Sequence, residues 1–492
     1  MKKITILFTA LSMILVSSCD KDFENLNVDP TASTELGVNA KFSYLFLKSA
    51  TEEYELSYTQ ILCVGQLVQQ VMDQTFPQSS IYSLRQDLQF AWWDTAYTTT
   101  IKSVVDIIDQ LESEGNVGTE MGIARIWKAY LFHILADQYG DTPYFEAGRG
   151  FLDGNTRPVY DDDEAIYMDM LKELEEGVAQ LGTTSSLGSA DLIFNGDTDR
   201  WRKFGNSLML RLAMRIKNVD VSTSNAWAQK AISGGTMSSN EDTAYMEHTN
   251  GPSDLNKNAW GTYAPRYLNA RIGATLYDWM ADHTDPRLNI LADPSGPAAG
   301  NRYGLENDKL MELYGESPDS YAKVNPMLTQ NTSPWVFLSY AQTILLEAEF
   351  AAASGNHSSA EVKYNSGVRA HMQIWGTHYD ASLTVDNSVI DEYLAANPYS
   401  AAEAGKMIGE QYWAASFFDF FEGYSNFRRS GYPELLPFGG EAPHPNNTTN
   451  GAIPRRLIYS PNEASQNAEN YQAVLQAQGP DNQVTRVWWD VN

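Results

Sequence analysis

Two cysteines in 492 residues leave neither a disulfide framework nor a cysteine-built metal site within reach. Basic residues are scarce as well: 34 Lys and Arg stand against 62 Asp and Glu, a formal charge of −28. A surface of that sign repels phosphate backbones, which argues against a nucleic-acid partner. Seven histidines are scattered; His371 and His378 lie a heptad apart with nothing nearby to complete a metal set. The chain has no G-x-S-x-G elbow, no H-E-x-x-H pair, no phosphate-cradling G-x-x-x-x-G-K-S/T and no G-x-G-x-x-G after a strand. Long apolar runs are missing beyond the first 18 residues. The run there, Ile4 to Val16, is shorter than the roughly 20 residues a spanning helix needs.

That first run has the layout of a signal peptide: Lys2 and Lys3, the apolar stretch, then small Ser17 and Ser18 before Cys19. It looks like a bacterial lipoprotein signal, with Cys19 as the lipidated new N-terminus. Val16 stands where the lipobox usually has Leu. An ordinary secretory signal followed by a chance cysteine is the alternative. The segment after it, Asp20 to Thr34, has little to bury and reads as a tether reaching at most about 50 Å. With Cys19 lipidated, Cys63 has no partner, and its apolar-periodic surroundings predict a buried, inert thiol.

From Val38 onward apolar residues recur at three- and four-residue intervals. Helices are predicted over Leu84–Ser113, over Glu120–Gly140 with Gly140 as the stop, and over Trp201–Asn218. Further helices are predicted over Pro334–Gly355, over Ser359–Gly376, in one piece from about 404 to Gly431, and over Asn462–Gln478. Asp161 and Glu164 have capping-box spacing, so the run Asp161–Glu164 is read as a helix start in preference to a calcium site. Helices joined in pairs by short polar links predict an all-α fold of tetratricopeptide-like helix pairs, although no clean 34-residue period is present. Paired helices are expected over about 40–235 and 334–430. A more irregular, loop-rich half is expected over 236–333 and a closing segment over 432–492. The expected division is a signal peptide at 1–18, a tether at 19–37 and one helical domain at 38–492. Glu347 and Glu349 are tempting as a hydrolytic pair, but two residues apart on a helix they face different ways. Ion pairing with neighbouring helices, including the Arg428–Arg429 dyad, is the simpler expectation.

Several segments in order resemble the SusD/RagB family of outer-membrane nutrient-binding lipoproteins, in its SusD-like branch. They are "DQYGDTPYFEA", "RPVYDDDEAIY", "NGDTDRWRKFGNSLMLRLAMRI", "TDPRL", "YAQTILLEAEFAAASG", "EQYWAASFFDFFEGYSNFRRSGYPEL", "IPRRLIYSPNE" and "TRVWWD". In "YAQT" the family commonly has an acid where Gln342 stands, which is expected to cost one helix–helix contact. The resemblance implies a non-catalytic protein at the outer membrane, lipid-anchored and facing the cell exterior. It implies a SusC-like TonB-dependent barrel transporter as partner and an oligosaccharide or oligopeptide as ligand. No cofactor is implied. An oligopeptide-binding lipoprotein, a lipid-anchored glycoside hydrolase and a pure scaffold are the alternatives.

A neutral sugar presents an apolar C–H face and a rim of hydroxyls, so it is met by exposed aromatic rings beside amide and charged groups. The chain has 12 Trp and 27 Tyr. Two loop stretches carry the right set. "FPQSSIYSLRQD" offers Tyr82 and Arg85, and "NKNAWGTYAPRY" offers Asn258, Trp260, Tyr263 and Arg266. Trp92 is a further candidate, because its neighbour Trp93 shares a helical face with Tyr97 and reads as core.

Overall fold

The computed structural model describes residues 36–51, 56–73, 75–251, 256–261, 270–301, 312, 315–437 and 444–492. Cys19, the tether up to residue 35, Tyr263 and Arg266 lie outside them. The chain order begins with α1 (Val38–Thr51), a π-helical segment (Leu56–Val64) and β1 (Val71–Met72). Then come α2 (Gln86–Thr95), α3 (Lys102–Ser113), α4 (Thr119–Tyr139), α5 (Asp163–Gln180), α6 (Thr198–Arg215) and α7 (Val221–Gly234). The irregular part holds β2 (Ala244–Met246), β3 (Arg271–Ile272), α8 (Ala274–Asp282) and β4 (Trp335–Leu338). Helices resume with α9 (Tyr340–Ala353), α10 (His357–Ile374), α11 (Asn387–Ala396), α12 (Ala404–Ala415), α13 (Phe420–Ser430) and α14 (Ala468–Ala477).

The helices are set by their caps as much as by apolar spacing. Asp197 accepts the Asp199 and Arg200 amides, Asp220 the Thr223 amide and Asn356 the Ser359 amide, starting α6, α7 and α10. Ser339 and Gln342 close a capping box on α9. Gly140 ends α4 at φ 79°, and a Cβ there would meet the Gln478 side chain at 2.0 Å. α6 with α7, α9 with α10, and α12 with α13 follow each other through links of a few residues and pack side by side; α4 and α5 also pack together, across the long connection from Gly140 to Asp162. Among the described residues the two sheets are minimal. β1 pairs antiparallel with β3, and β2 with β4.

One aromatic cluster ties the helical layers together. The Trp127 ring lies 5.1 Å from Phe46, 6.0 Å from Trp201 and 5.0 Å from Phe337, joining α1, α4, α6 and β4. Cys63 is fully buried, and burial pushes its thiol up to about 12, with a smaller opposing effect from Ser79. Its burial is as expected.

Five expected elements differ in detail. The helix expected from Pro334 opens instead as strand β4 before α9 starts at Tyr340, and the one expected over Asn462–Gln478 divides at Asn467 into Glu463–Gln466 and α14. The stretch Leu84–Ser113 is two helices, because a π-helical turn over Ala96–Ile101 interrupts the regular ladder. The segment from 404 to 431 also breaks, with Phe418 at φ 77° and Asp419 capping a new helix. The cap of α5 is Asp162, whose side chain accepts the Ala165 amide. Asp161 turns the other way and accepts the Tyr144 and Phe145 amides.

Candidate functional site

The loop between β1 and α2 is held from several sides. The Asp73 carboxylate accepts the Thr75 and Phe76 amides, each at 2.8 Å, and so bends the chain. Gln66, fully buried, donates from Nε2 to the carbonyls of Leu62 at 2.7 Å and Phe76 at 2.8 Å. Tyr82 takes φ 53° and its carbonyl accepts the Thr448 amide and hydroxyl. The Gln69 side chain donates to Leu436 O at 2.6 Å, bringing in the closing segment. Gly273 follows β3 so closely that a Cβ there would sit 2.2 Å from Gln69 O. A loop fixed in this way holds its side chains ready, which lowers the ordering cost of binding.

What it presents is an aromatic ring with a charged fork. Phe76 is half-buried. The Arg85 guanidinium lies 4.8 Å from its ring centroid, and Tyr58, on the π-helical segment, lies 6.5 Å away on centroids. Arg85 grips Asp87 through Nε at 2.9 Å and through its NH2 group at 2.8 Å. The pair is nearly neutral, yet offers donors and acceptors beside an apolar ring. π-helical turns of this kind recur at functional sites.

The other candidates from the sequence sit elsewhere. Trp260 is 3% exposed, edge-on to Phe418 at 4.9 Å, and Asn258 is 2% exposed. Asn258 donates to Ser333 O at 2.9 Å and accepts the Trp260 amide at 2.8 Å, so it staples its own loop. Trp92 is 6% exposed and packs on Phe421. The expectation of an outward ring at Trp260 and Trp92 is therefore corrected: their faces are covered by core aromatics. Tyr82 is buried too, at 1% exposure, and shapes the loop through its backbone. Of the described candidates only Arg85 reaches the surface beside an aromatic ring. Phe76 and Tyr58 were missed, although Phe76 opens the stretch that contains Tyr82 and Arg85. Replacing Trp260 by Ala is expected to cost about 3 kcal/mol of stability and to leave ligand affinity unchanged. Urea unfolding and calorimetric titration of the same variant check both halves.

The carboxylates sort into structural roles. Glu349 meets Arg429 through both oxygens, at 2.5 and 2.8 Å, and Lys217 at 2.7 Å. Burial alone would raise the pKa of this group, but the two cations overcome that and hold the carboxyl well below its usual range. Glu347 pairs instead with Lys363 and Thr236. Deeper in, Arg215 meets Glu422 at 2.5 Å and Asp137 at 3.3 Å, while Arg211 reaches Asp419 at 3.4 Å. His133, Asp137 and Glu422 come close enough to share an ion, but the two arginines already neutralise the acids. Burial pushes His133 down to about 3, helped by Arg211.

Asp141, Asp162 and Asp163 also lie within 4.8 Å of one another. Asp162 is the α5 cap, Asp141 accepts the Asp163 amide at 3.0 Å, and Asp163 accepts the Trp488 amide at 2.8 Å. Burial, then the Asp141 charge, raises Asp163 to about 8; burial raises Asp141 to about 6. An acid raised in the folded state keeps its proton while the unfolded chain loses it. Stability from this source is present below pH ~4 and is lost as pH rises through about 8. Asp163→Asn keeps an acceptor for Trp488 and cannot ionise. Its urea midpoint is therefore expected to gain on the native one between pH 5 and pH 9.

Residues 38–460 match the family described as starch-binding and associating with the outer membrane. The chain belongs to the SusD-like family. A solved structure described as a chitin-binding protein is 30% identical and superposes with a TM-score of 0.82, covering 93% of this chain and 100% of that one. A SusD-like protein from Bacteroides thetaiotaomicron VPI-5482 is 22% identical with a TM-score of 0.78, over 93% and 99%. A chitin-binding SusD homolog from Flavobacterium johnsoniae is 22% identical with a TM-score of 0.76, over 92% and 99%. No curated protein matches in sequence. Among the described residues no helix of this SusD-like chain is long and apolar enough to cross a membrane. Its Gln342 keeps the contact expected to be lost. Gln342 Oε1 accepts from Arg211 at 3.1 Å, and its Nε2 donates to Asp419 at 3.1 Å, a bond that a carboxylate there could not make.

Proposed function

We propose that this protein captures a neutral oligosaccharide at the cell surface and passes it, uncleaved, to a SusC-like TonB-dependent barrel transporter. The observation that carries this is the 30% identity, over nearly all of both chains, to a protein described as chitin-binding. The family description points to the outer membrane. The loop face supports the same reading. Phe76 supplies a flat apolar ring, and Arg85 with Asp87 supplies hydrogen-bonding groups with no net charge to repel or demand an ionic ligand. Glu347, Glu349, Asp137 and Glu422 are tied up in ion pairs, which suits a binder rather than a hydrolase. In this account residues 1–18 are removed, Cys19 carries lipid and 19–37 tether the body. Cys19→Ser is then expected to move the protein from the membrane fraction to the soluble one; unchanged fractionation removes the anchor from the account.

The test is calorimetric titration of the protein starting at Asp20 with chitin- and starch-derived oligosaccharides and with short peptides. Reducing ends are followed in parallel. Heat with a saccharide and no new reducing ends is the expected result. Heat with peptides alone, or release of reducing ends, overturns the proposal.

A further inference from the structure

A recess of about 180 Å³ opens between α8, α10, α11 and α12, and it shares no residue with the loop face. It is lined by Trp279, Tyr364 and Tyr393 and by Glu403, Lys406 and Glu410. The volume is well under the roughly 300–1,000 Å³ of sites for drug-sized ligands, so it suits a single small ring. The Trp279 indole N–H donates to Glu410 Oε2 at 3.2 Å, which fixes both the ring and the carboxylate. Glu410 forms no ion pair among the described residues, and burial raises its pKa above the usual carboxylate value, with Trp279 and Lys406 opposing.

The surrounding charges leave that carboxylate unmatched. Arg287 lies 5.9 Å from the Trp279 ring, but Asp285 answers it at 2.5 Å and Gln411 at 2.8 Å. The other titratable groups that face Glu410 are Lys406, His283 and Glu434. His283 is engaged through Nδ1 with Trp279 O at 2.7 Å. Two wall carboxylates, Glu403 and Glu410, thus stand against one lysine, among three aromatic rings. Aromatic faces attract cations as well as C–H surfaces, and a partly desolvated carboxylate favours a cationic hydrogen-bond donor over a neutral one.

We propose that this recess is a second ligand site, which takes one protonated amine carried on a compact hydroxylated ring, the chemistry of an amino sugar. The amine meets Glu410, and the ring lies against Trp279. The proposal does not rest on the loop-face reading.

The experiment uses the mature chain carrying Arg85→Ala, so that loop-face binding contributes little. Glucosamine, N-acetylglucosamine and glucose are titrated at pH 6. Glucosamine is expected to bind about tenfold or more tightly than the two neutral sugars, and Glu410→Gln is expected to remove most of that preference. Glu410→Gln still accepts the indole N–H, so the wall stays in place, and an unchanged urea midpoint confirms it. Equal binding of the three sugars, a glucosamine affinity indifferent to Glu410→Gln, or no heat at about 50 mM glucosamine each overturns the site.

Discussion

Arg429→Met is expected to lower the free energy of unfolding by about 3–5 kcal/mol, read as a fall in the urea midpoint. Arg429 is 2% exposed and holds both oxygens of Glu349 across the α9–α13 contact. Removing it strands a buried carboxylate. Lys217 remains at 2.7 Å, which places the expected loss toward the lower end of that range. Adding Glu349→Leu removes the stranded charge, so the double variant should recover part of the loss. A single-variant loss below about 1 kcal/mol would mean that the pair behaves like an exposed one.

Phe76→Leu is expected to weaken oligosaccharide binding about 30-fold, the effect of losing roughly 2 kcal/mol at a central contact. Leucine keeps an apolar plug under the loop, so the stability change should stay below about 1.5 kcal/mol. It removes the flat ring on which a sugar face can lie, and the surface that orients the Arg85 guanidinium. Arg85→Ala should weaken binding in the same direction. Its pair with Asp87 is partly exposed and contributes only about 0–1 kcal/mol to stability. Affinity measured by calorimetry and midpoint measured in urea separate the two effects in each variant.

The scaffold was far more legible than the site, for a physical reason. Apolar spacing and punctuation report helices locally, so Gly140 and the Trp201 helix could be read directly. The ion pair of Glu349 with Arg429 followed from a simple demand: a carboxylate in an apolar helix needs a cation. The breaks did not show, because the π-helical turn at Ala96–Ile101 keeps the apolar rhythm on both sides. At Gln342 the sequence implies a lost contact, because an amide and a carboxylate differ by a donor that matters only when Asp419 is beside it. The aromatics misled most. A Trp in a Gly- and Pro-rich loop looks the same in sequence whether it faces water or, like Trp260, plugs the core against Phe418. Phe76 became a candidate only when tertiary structure set Arg85 over its ring and Tyr58 beside it.

The most direct test of the account is a crystal structure of the mature protein with the oligosaccharide that gives the strongest heat. The account predicts a sugar ring on the exposed face of Phe76, with its hydroxyls within hydrogen-bonding distance of Arg85 or Asp87. A saccharide bound elsewhere, with the loop between β1 and α2 bare, would contradict it.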